Sequence, residues 1–293
     1  MLGKCLENVK EKTPLIHNIT NYVTVNDVAN ALLASGGSPI MSDEPDDVAN
    51  VLLACGGSPI MSDEPEDVAD ITSICGGLNI NIGTLNKRSI EAMFISGMKS
   101  KDLGHIVLLD PVGAGASKLR TETALKIMNE IKPDVIRGNI SEIKTLALGS
   151  GTTKGVDADA ADIVTEENLD SMVKFAKAFS QKAGAVIAIT GAIDLVADSK
   201  KCYVIRNGSP LMSRITGTGC MLSALTTAYA VANPGNITEA VAASVCLMGL
   251  AGEIGVSNMK DGEGNSSLRN HIIDAIYNMD ADELKKGAKY EVR

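Results

Sequence analysis

Short β-rich runs alternate with helical patterns along this chain: Leu78-Asn79-Ile80-Asn81-Ile82, Ile106-Val107-Leu108-Leu109, Val135-Ile136 and Ala185-Val186-Ile187-Ala188-Ile189 are separated by segments of helical length. No other feature constrains the fold as much, because strands that are apolar on both faces need helices above and below them. The expected architecture is α/β, with a mostly parallel central sheet sandwiched between helices. Ligands of such a sheet collect outside the carboxyl ends of its strands. Leu195 to Ala197 and Cys202 to Ile205, joined through Asp198-Ser199-Lys200-Lys201, read as a hairpin. With 293 residues, 45% of them hydrophobic, the chain has material for one large core, and a single domain over 1–293 is expected.

Residues 28–47, VANALLASGGSPIMSDEPDD, recur at 48–67 as VANVLLACGGSPIMSDEPED, with three differences. A fainter echo at 68–77 keeps the helix pattern and the Gly-Gly exit but lacks the SPIMS strand. A solenoid would repeat throughout, and this chain does not. The duplication therefore reads as one surplus helix-strand unit within 28–67, whose near-identical copies compete for one niche in the core.

A formal net charge of −9 and a pI near 4.9 argue against a nucleic-acid groove or an anionic membrane surface. Small molecules are the expected ligands. With 3% aromatics and no Trp, a bound heterocycle must rest mainly on aliphatic and Met surfaces. Six cysteines without a C-x-x-C pair, and three histidines, suggest neither a zinc site nor a disulfide framework, and fit a reducing cytosol. The apolar stretch Ala240 to Gly252, bounded by Glu239 and Glu253, is too short to span a bilayer and suits a buried helix. His17, His105 and His271 read as structural. The polar run Gly149 to Asp157 lacks the order of a phosphate loop and reads as surface.

Chemistry-bearing residues cluster at strand ends. Asp110 follows Ile106–Leu109, where a carboxylate could organise hydrated magnesium, or could simply form an Asp-Pro turn. Arg137 follows Val135-Ile136 and suits phosphate oxygens. Asn139 and Glu142 have the spacing of a capping box. Thr190-Gly191 closes another strand on the same edge. Asn21 is a candidate for hydrogen-bonding a small polar ligand; Asn79, Asn81 and Thr84 could do likewise, although alternating Asn equally satisfies backbone at a sheet end. Gly217-Thr218-Gly219-Cys220 then leads into an Ala-rich helix pattern. Glycines there allow φ > 0, and the first helical turn adds unpaired N–H donors, so the turn reads as an anion cradle or as a plain tight turn. Convergence with Asp110, Arg137 and Thr190 favours magnesium-dependent phosphoryl transfer, with the turn as anion hole.

HNITNYVT, SPIM, NINIGTL, LDPVGAGA, RGNISE, the strand-ending Thr190-Gly191 and TGTGCM, in this order over nearly the whole chain, resemble the hydroxyethylthiazole kinases of thiamine salvage, members of the ribokinase-like superfamily. The cysteine of TGTGC separates that family from relatives with aspartate there. The resemblance implies a ribokinase-like three-layer αβα sandwich and ATP-dependent phosphorylation of the primary alcohol of 4-methyl-5-(2-hydroxyethyl)thiazole with Mg²⁺. It implies ATP contacts at Arg137, Asn139 and Thr190, and magnesium held through Asp110 and Glu142. Substrate contacts would come from Gly217, Asn21, Thr84 and the SPIM methionine, with Gly217, Thr218, Gly219 and Cys220 forming the catalytic turn. It further implies a cytoplasmic homotrimer with active sites at subunit interfaces. Met61 keeps the family's spacing to everything downstream and Met41 its spacing to Asn21; Met61 is favoured, because its strand must connect into the next βα unit. The other readings are a kinase for another small alcohol, hydroxymethylpyrimidine or pyridoxal-like, and a nucleotide-binding oligomer disabled by the duplication. A cysteine-nucleophile hydrolase lacks a histidine in a recognisable pairing motif.

Overall fold

A computed structural model describes residues 1–20, 25–36, 38–41, 65–149 and 163–293. Asn21, Met61 with the rest of the second SPIM copy, and the Gly149–Asp157 run from position 150 onward lie outside the described residues.

Helix α1 (Leu2–Lys12) leads into β1 (Leu15–Ile19), α2 (Val25–Ser35) and β2 (Ser38–Met41). Next come α3 (Val68–Ile74), β3 (Gly77–Asn81), α4 (Lys87–Asp102), β4 (Ile106–Asp110), α5 (Lys118–Glu130), β5 (Val135–Asn139) and α6 (Ile140–Leu148). The chain continues through α7 (Leu169–Ala183), β6 (Val186–Thr190), β7 (Asp194–Ala197) and β8 (Cys202–Ile205). It closes with α8 (Thr218–Ala232), α9 (Ile237–Ser257), α10 (Asn265–Asn278), α11 (Ala281–Gly287) and β9 (Tyr290–Val292). Among the described residues one sheet runs in the order β2-β1-β3-β4-β5-β6-β7-β8-β9. Its pairings are parallel from β2 to β6 and antiparallel from β6 to β9.

The first SPIM copy supplies β2, at the sheet edge beside β1. The expected hairpin is present as β7 and β8. His17 and Asn18 are buried in β1, a strand absent from the runs expected from the sequence. Strand β9 went unforeseen because it has three residues and is largely exposed.

Two apolar cores flank the sheet. One gathers Leu108, Val135, Ala188 and Val196 with α1, α2 and α8 to α10. The other gathers Leu109, Ile136, Ile187 and Leu195 with α4 to α7. Each strand thus sends alternate side chains to opposite layers, as a pleated strand must. The α9 helix corrects the expectation of a short apolar segment: it runs 21 residues, long and apolar enough to cross a membrane, but 78% of an 18-residue apolar stretch within it is buried inside the protein. It packs between α8 and α10. Its flanking acids are engaged, Glu239 by Lys201 and Glu253 by Lys289.

Candidate active site

Strand parity aligns the polar residues. Counting by twos from Leu108, Val135, Ala188 and Val196, the side chains of Asp110, Arg137, Thr190 and Asp194 belong to the sheet face covered by α8 and α9. Asn81 joins them, because Leu78 and Ile80 face the opposite core and Asn81 pairs in register with Asp110. The residues expected at strand ends are therefore brought to one edge and one face.

Asp110 is fully buried, and its Oδ2 accepts from Asn81 Nδ2 at 2.8 Å and from Ser223 Oγ at 2.8 Å. Arg137 Nη1 lies 3.5 Å from the same oxygen. Burial pushes the Asp110 carboxyl up, opposed by the Arg137 charge and these hydrogen bonds. Its Oδ1 is buried without a partner among the described residues. Arg137 Nη2 donates to Thr190 Oγ1 at 2.6 Å, which fixes the guanidinium across the ends of β5 and β6.

Both alternatives for Asn139 and Glu142 must include the cap: Asn139 Oδ1 accepts from Glu142 N at 2.8 Å, and Glu142 Oε2 accepts from Asn139 N at 2.9 Å. Glu142 Oε1 also accepts from Gly113 N at 2.8 Å, tying the turn after β4 to α6. Burial, then the neighbouring Asp110 charge, raises the Glu142 carboxyl to about 7.

The glycine turn begins α8. Gly217 is its N-cap with φ 90° and makes no side-chain cap, so the helix begins on a bare backbone turn whose first amides and positive dipole end suit an anion. A side chain at Gly219 would stand 2.8 Å from Arg137 Nη1, so only glycine lets the guanidinium approach the turn. Cys220, partly exposed, accepts from Asn81 Nδ2 at 3.2 Å. Asn81 thus links the thiol to Asp110, while its Oδ1 accepts from Gly83 N at 2.9 Å. Asn79 donates to Asn18 Oδ1 at 3.0 Å, buried, and so serves the sheet interior. Thr84 lies in the loop after β3, half-buried. Met41 ends β2.

Beside this cluster opens a cavity of about 480 Å³. Arg137, Thr190, Asp194, Thr218 and Gly219 contribute its polar lining; Pro210, Met212, Leu222, Val245 and Met248 contribute aliphatic and thioether surface, as the scarcity of aromatics requires. Asp194 accepts from Gly191 N at 2.8 Å, and burial raises its carboxyl to about 7. Ser223 and Asp194 escaped the sequence reading. Strand parity would have placed Asp194 on this face, and Ser223 follows Cys220 by one helical turn.

No group of three or more His, Cys, Asp or Glu able to hold a metal occurs among the described residues. A closed protein cage is therefore absent there, but the buried, unpartnered Asp110 Oδ1 fits a divalent cation that keeps most of its water. Glu142 has both oxygens on backbone donors, which suits contact through water rather than direct ligation.

This architecture is that of the ribokinase-like kinases. Pyridoxal kinase from Staphylococcus aureus, solved in complex with ADP, matches with a TM-score of 0.60 at 17% identity, over 96% of this chain and 98% of that one, a likeness of fold alone. The family follows from closer matches. A model of the hydroxyethylthiazole kinase family matches residues 6–49 and 44–282. The hydroxyethylthiazole kinase of Clostridium acetobutylicum is 57% identical over 291 residues, 99% of each chain. That of Ruminiclostridium cellulolyticum is 46% identical over 98% of this chain and 96% of its own. The solved hydroxyethylthiazole kinase of Pyrococcus horikoshii OT3 matches with a TM-score of 0.81 at 29% identity, over 100% of this chain and 98% of that one. The chain belongs to the hydroxyethylthiazole kinase family.

Proposed function

We propose that this chain, as a single kinase domain, transfers the γ-phosphoryl group of ATP to the primary hydroxyl of 4-methyl-5-(2-hydroxyethyl)thiazole. One observation carries the assignment of roles: Asp110, the Arg137–Thr190 pair and the uncapped start of α8 meet on one face of one sheet edge. Family membership supplies the acceptor. The cavity lined by Met212, Leu222, Val245 and Met248 takes the nucleotide, with Arg137, Thr190 and the Asn139 segment toward its phosphates.

Asp110, and Glu142 through water, would hold Mg²⁺. When bound, that ion neutralises charge on the phosphate oxygens. The amides of Thr218, Gly219 and Cys220 stabilise the phosphoryl group in transit, and Arg137 supplies a fixed positive charge. As the hydroxyl oxygen bonds to the γ-phosphorus, the bond to the β,γ-bridging oxygen breaks and ADP leaves. The hydroxyl proton passes to Cys220 when its sulfur is a thiolate, and otherwise to an oxygen of the transferred group, since a loose transition state asks little of a base. Gly217, Thr84, Asn21 and a SPIM methionine would contact the thiazole, Met41 being the copy on a described strand. A cytoplasmic homotrimer with sites at its interfaces belongs to the same proposal, supported by family membership alone; light scattering tests the stoichiometry. The reaction is tested by incubating the chain with ATP, Mg²⁺ and hydroxyethylthiazole and identifying the phosphate ester by mass. ADP release that depends on hydroxymethylpyrimidine or pyridoxal, and not on the thiazole, would favour the other kinase reading.

A further inference from the structure

One wall of the cavity is a strap, residues 206–213, that leaves β8 and crosses α9 before the glycine turn. Its attachment to α9 depends on what α9 lacks. A Cβ on Gly249 would stand 2.7 Å from Asn207 Cβ and 2.8 Å from the Asn207 carbonyl carbon and oxygen. A Cβ on Gly252, one helical turn further, would overlap the Met212 sulfur. Non-bonded carbon atoms prefer ~3.5–4.0 Å, so Gly249 admits no side chain unless the strap backbone moves, and Gly252 admits none unless the Met212 side chain does.

The strap is also fastened by hydrogen bonds. Glu253 Oε1 accepts from Gly208 N at 2.9 Å and from Asn207 Nδ2 at 3.2 Å. Asn207 Oδ1 accepts from Lys289 N at 2.7 Å, and Asn207 Nδ2 donates to Gly287 O at 2.9 Å. Lys289 Nζ returns to Glu253 Oε2 at 2.6 Å. The buried Asn207 amide is thereby held between α9 and the segment after α11.

We propose that Gly249, Gly252 and Glu253 are positioning residues for the nucleotide base, acting through the strap to set how far Met212 stands into the cavity. Gly252 and Glu253 lie outside the cavity lining, whereas Gly249 is also part of it. The proposal rests on the cavity being the nucleotide site. An apolar wall without an aromatic stacking partner discriminates by width, and Met212 is its adjustable element.

Steady-state kinetics of Gly252→Ala, Gly252→Ala/Met212→Ala and Glu253→Gln test this. Gly252→Ala should raise KM for ATP about tenfold, with kcat and KM for the thiazole within about twofold of the parent, the signature of lost ground-state binding. Removing the displaced side chain in the double variant, with loss of the Met212 contact itself, should bring KM for ATP below that of Gly252→Ala, a rescue that general destabilisation would not give. Glu253→Gln, which keeps the shape and leaves the helix packing alone, should raise KM for ATP about threefold and decides the matter should Gly252→Ala fail to fold. Unchanged KM for ATP in folded Gly252→Ala and in Glu253→Gln overturns the strap's role and leaves the nucleotide site standing. A rise in KM for the thiazole alone overturns the nucleotide reading of the cavity, and the proposal with it.

Discussion

Ser223, on the second turn of α8, donates from Oγ to Asp110 Oδ2 at 2.8 Å, so the helix that carries the anion turn also holds the carboxylate at the end of β4. The bond couples the two halves of the site. Ser223→Ala leaves the buried carboxylate one donor poorer, and hydrogen bonds to charged groups contribute about 1.5–3 kcal/mol. Denaturant titration should show a loss in that range, and kcat should fall. Asp110→Asn, which keeps the volume but removes the charge, should lower kcat by about 10³-fold with the fold intact by circular dichroism.

Cys220→Ala should retain measurable kinase activity, because the phosphoryl group can accept the proton late in transfer. Turnover lost as completely as in Asp110→Asn would show that the thiol is the required base. Cys220→Asp should be tolerated or faster, as the aspartate of relatives at this turn implies.

His17 makes stability depend on pH. Its Nδ1 lies 3.1 Å from Thr72 Oγ1, and that hydroxyl donates to Val68 O at 2.6 Å, so Nδ1 carries the proton and the hydroxyl accepts it. Nε2 is buried without a partner, and burial pushes the imidazole down to about 4. Between about 4 and 6.5 the unfolded chain binds the extra proton and the folded one does not, so this contribution to stability is complete above 6.5 and is lost as pH falls toward 4. At pH 5 the loss is about 2 kcal/mol relative to neutral pH. His17→Gln should remove that part of the pH dependence in denaturant titrations.

The two repeats allow a direct comparison. Deleting 48–67 or 28–47 gives chains that differ at three positions, among them Ala or Val at 31 and Ser or Cys at 35. Ala31 and Ser35 are buried in α2, with Ser35 Oγ donating to Leu32 O at 2.9 Å. Valine at 31 overpacks that site, and overpacking costs about 1–3 kcal/mol. The chain lacking 48–67 should therefore have the higher thermal midpoint of the two, and both should keep kinase activity.

The sheet was legible in the sequence because its central strands are apolar on both faces, and the hairpin because its two short apolar runs are joined by four polar residues. Strand β1 was obscured by His17 and Asn18, whose burial depends on partners distant in sequence, Thr72 and Asn79. Asp110, Arg137 and Thr190 could be read at the site because each ends a strand. The use of Asn81 could not: alternating Asn has the same pattern whether it meets a ligand or secures a neighbouring carboxylate, and the pairing with Asp110 belongs to the sheet register. Ser223 and Asp194 carry no motif of their own: parity along β7 places Asp194 on the site's face, while Ser223 gains meaning only where α8 is seen to cover that face.

The most direct test is a mass-resolved assay of the full chain with ATP, Mg²⁺ and 4-methyl-5-(2-hydroxyethyl)thiazole, alongside Asp110→Asn. The expected result is thiazole phosphate and ADP in equal amounts from the parent chain, and loss of both products by about 10³-fold in the folded variant. Absence of thiazole phosphate from the folded parent chain, or equal yields from the two proteins, would contradict the assignment.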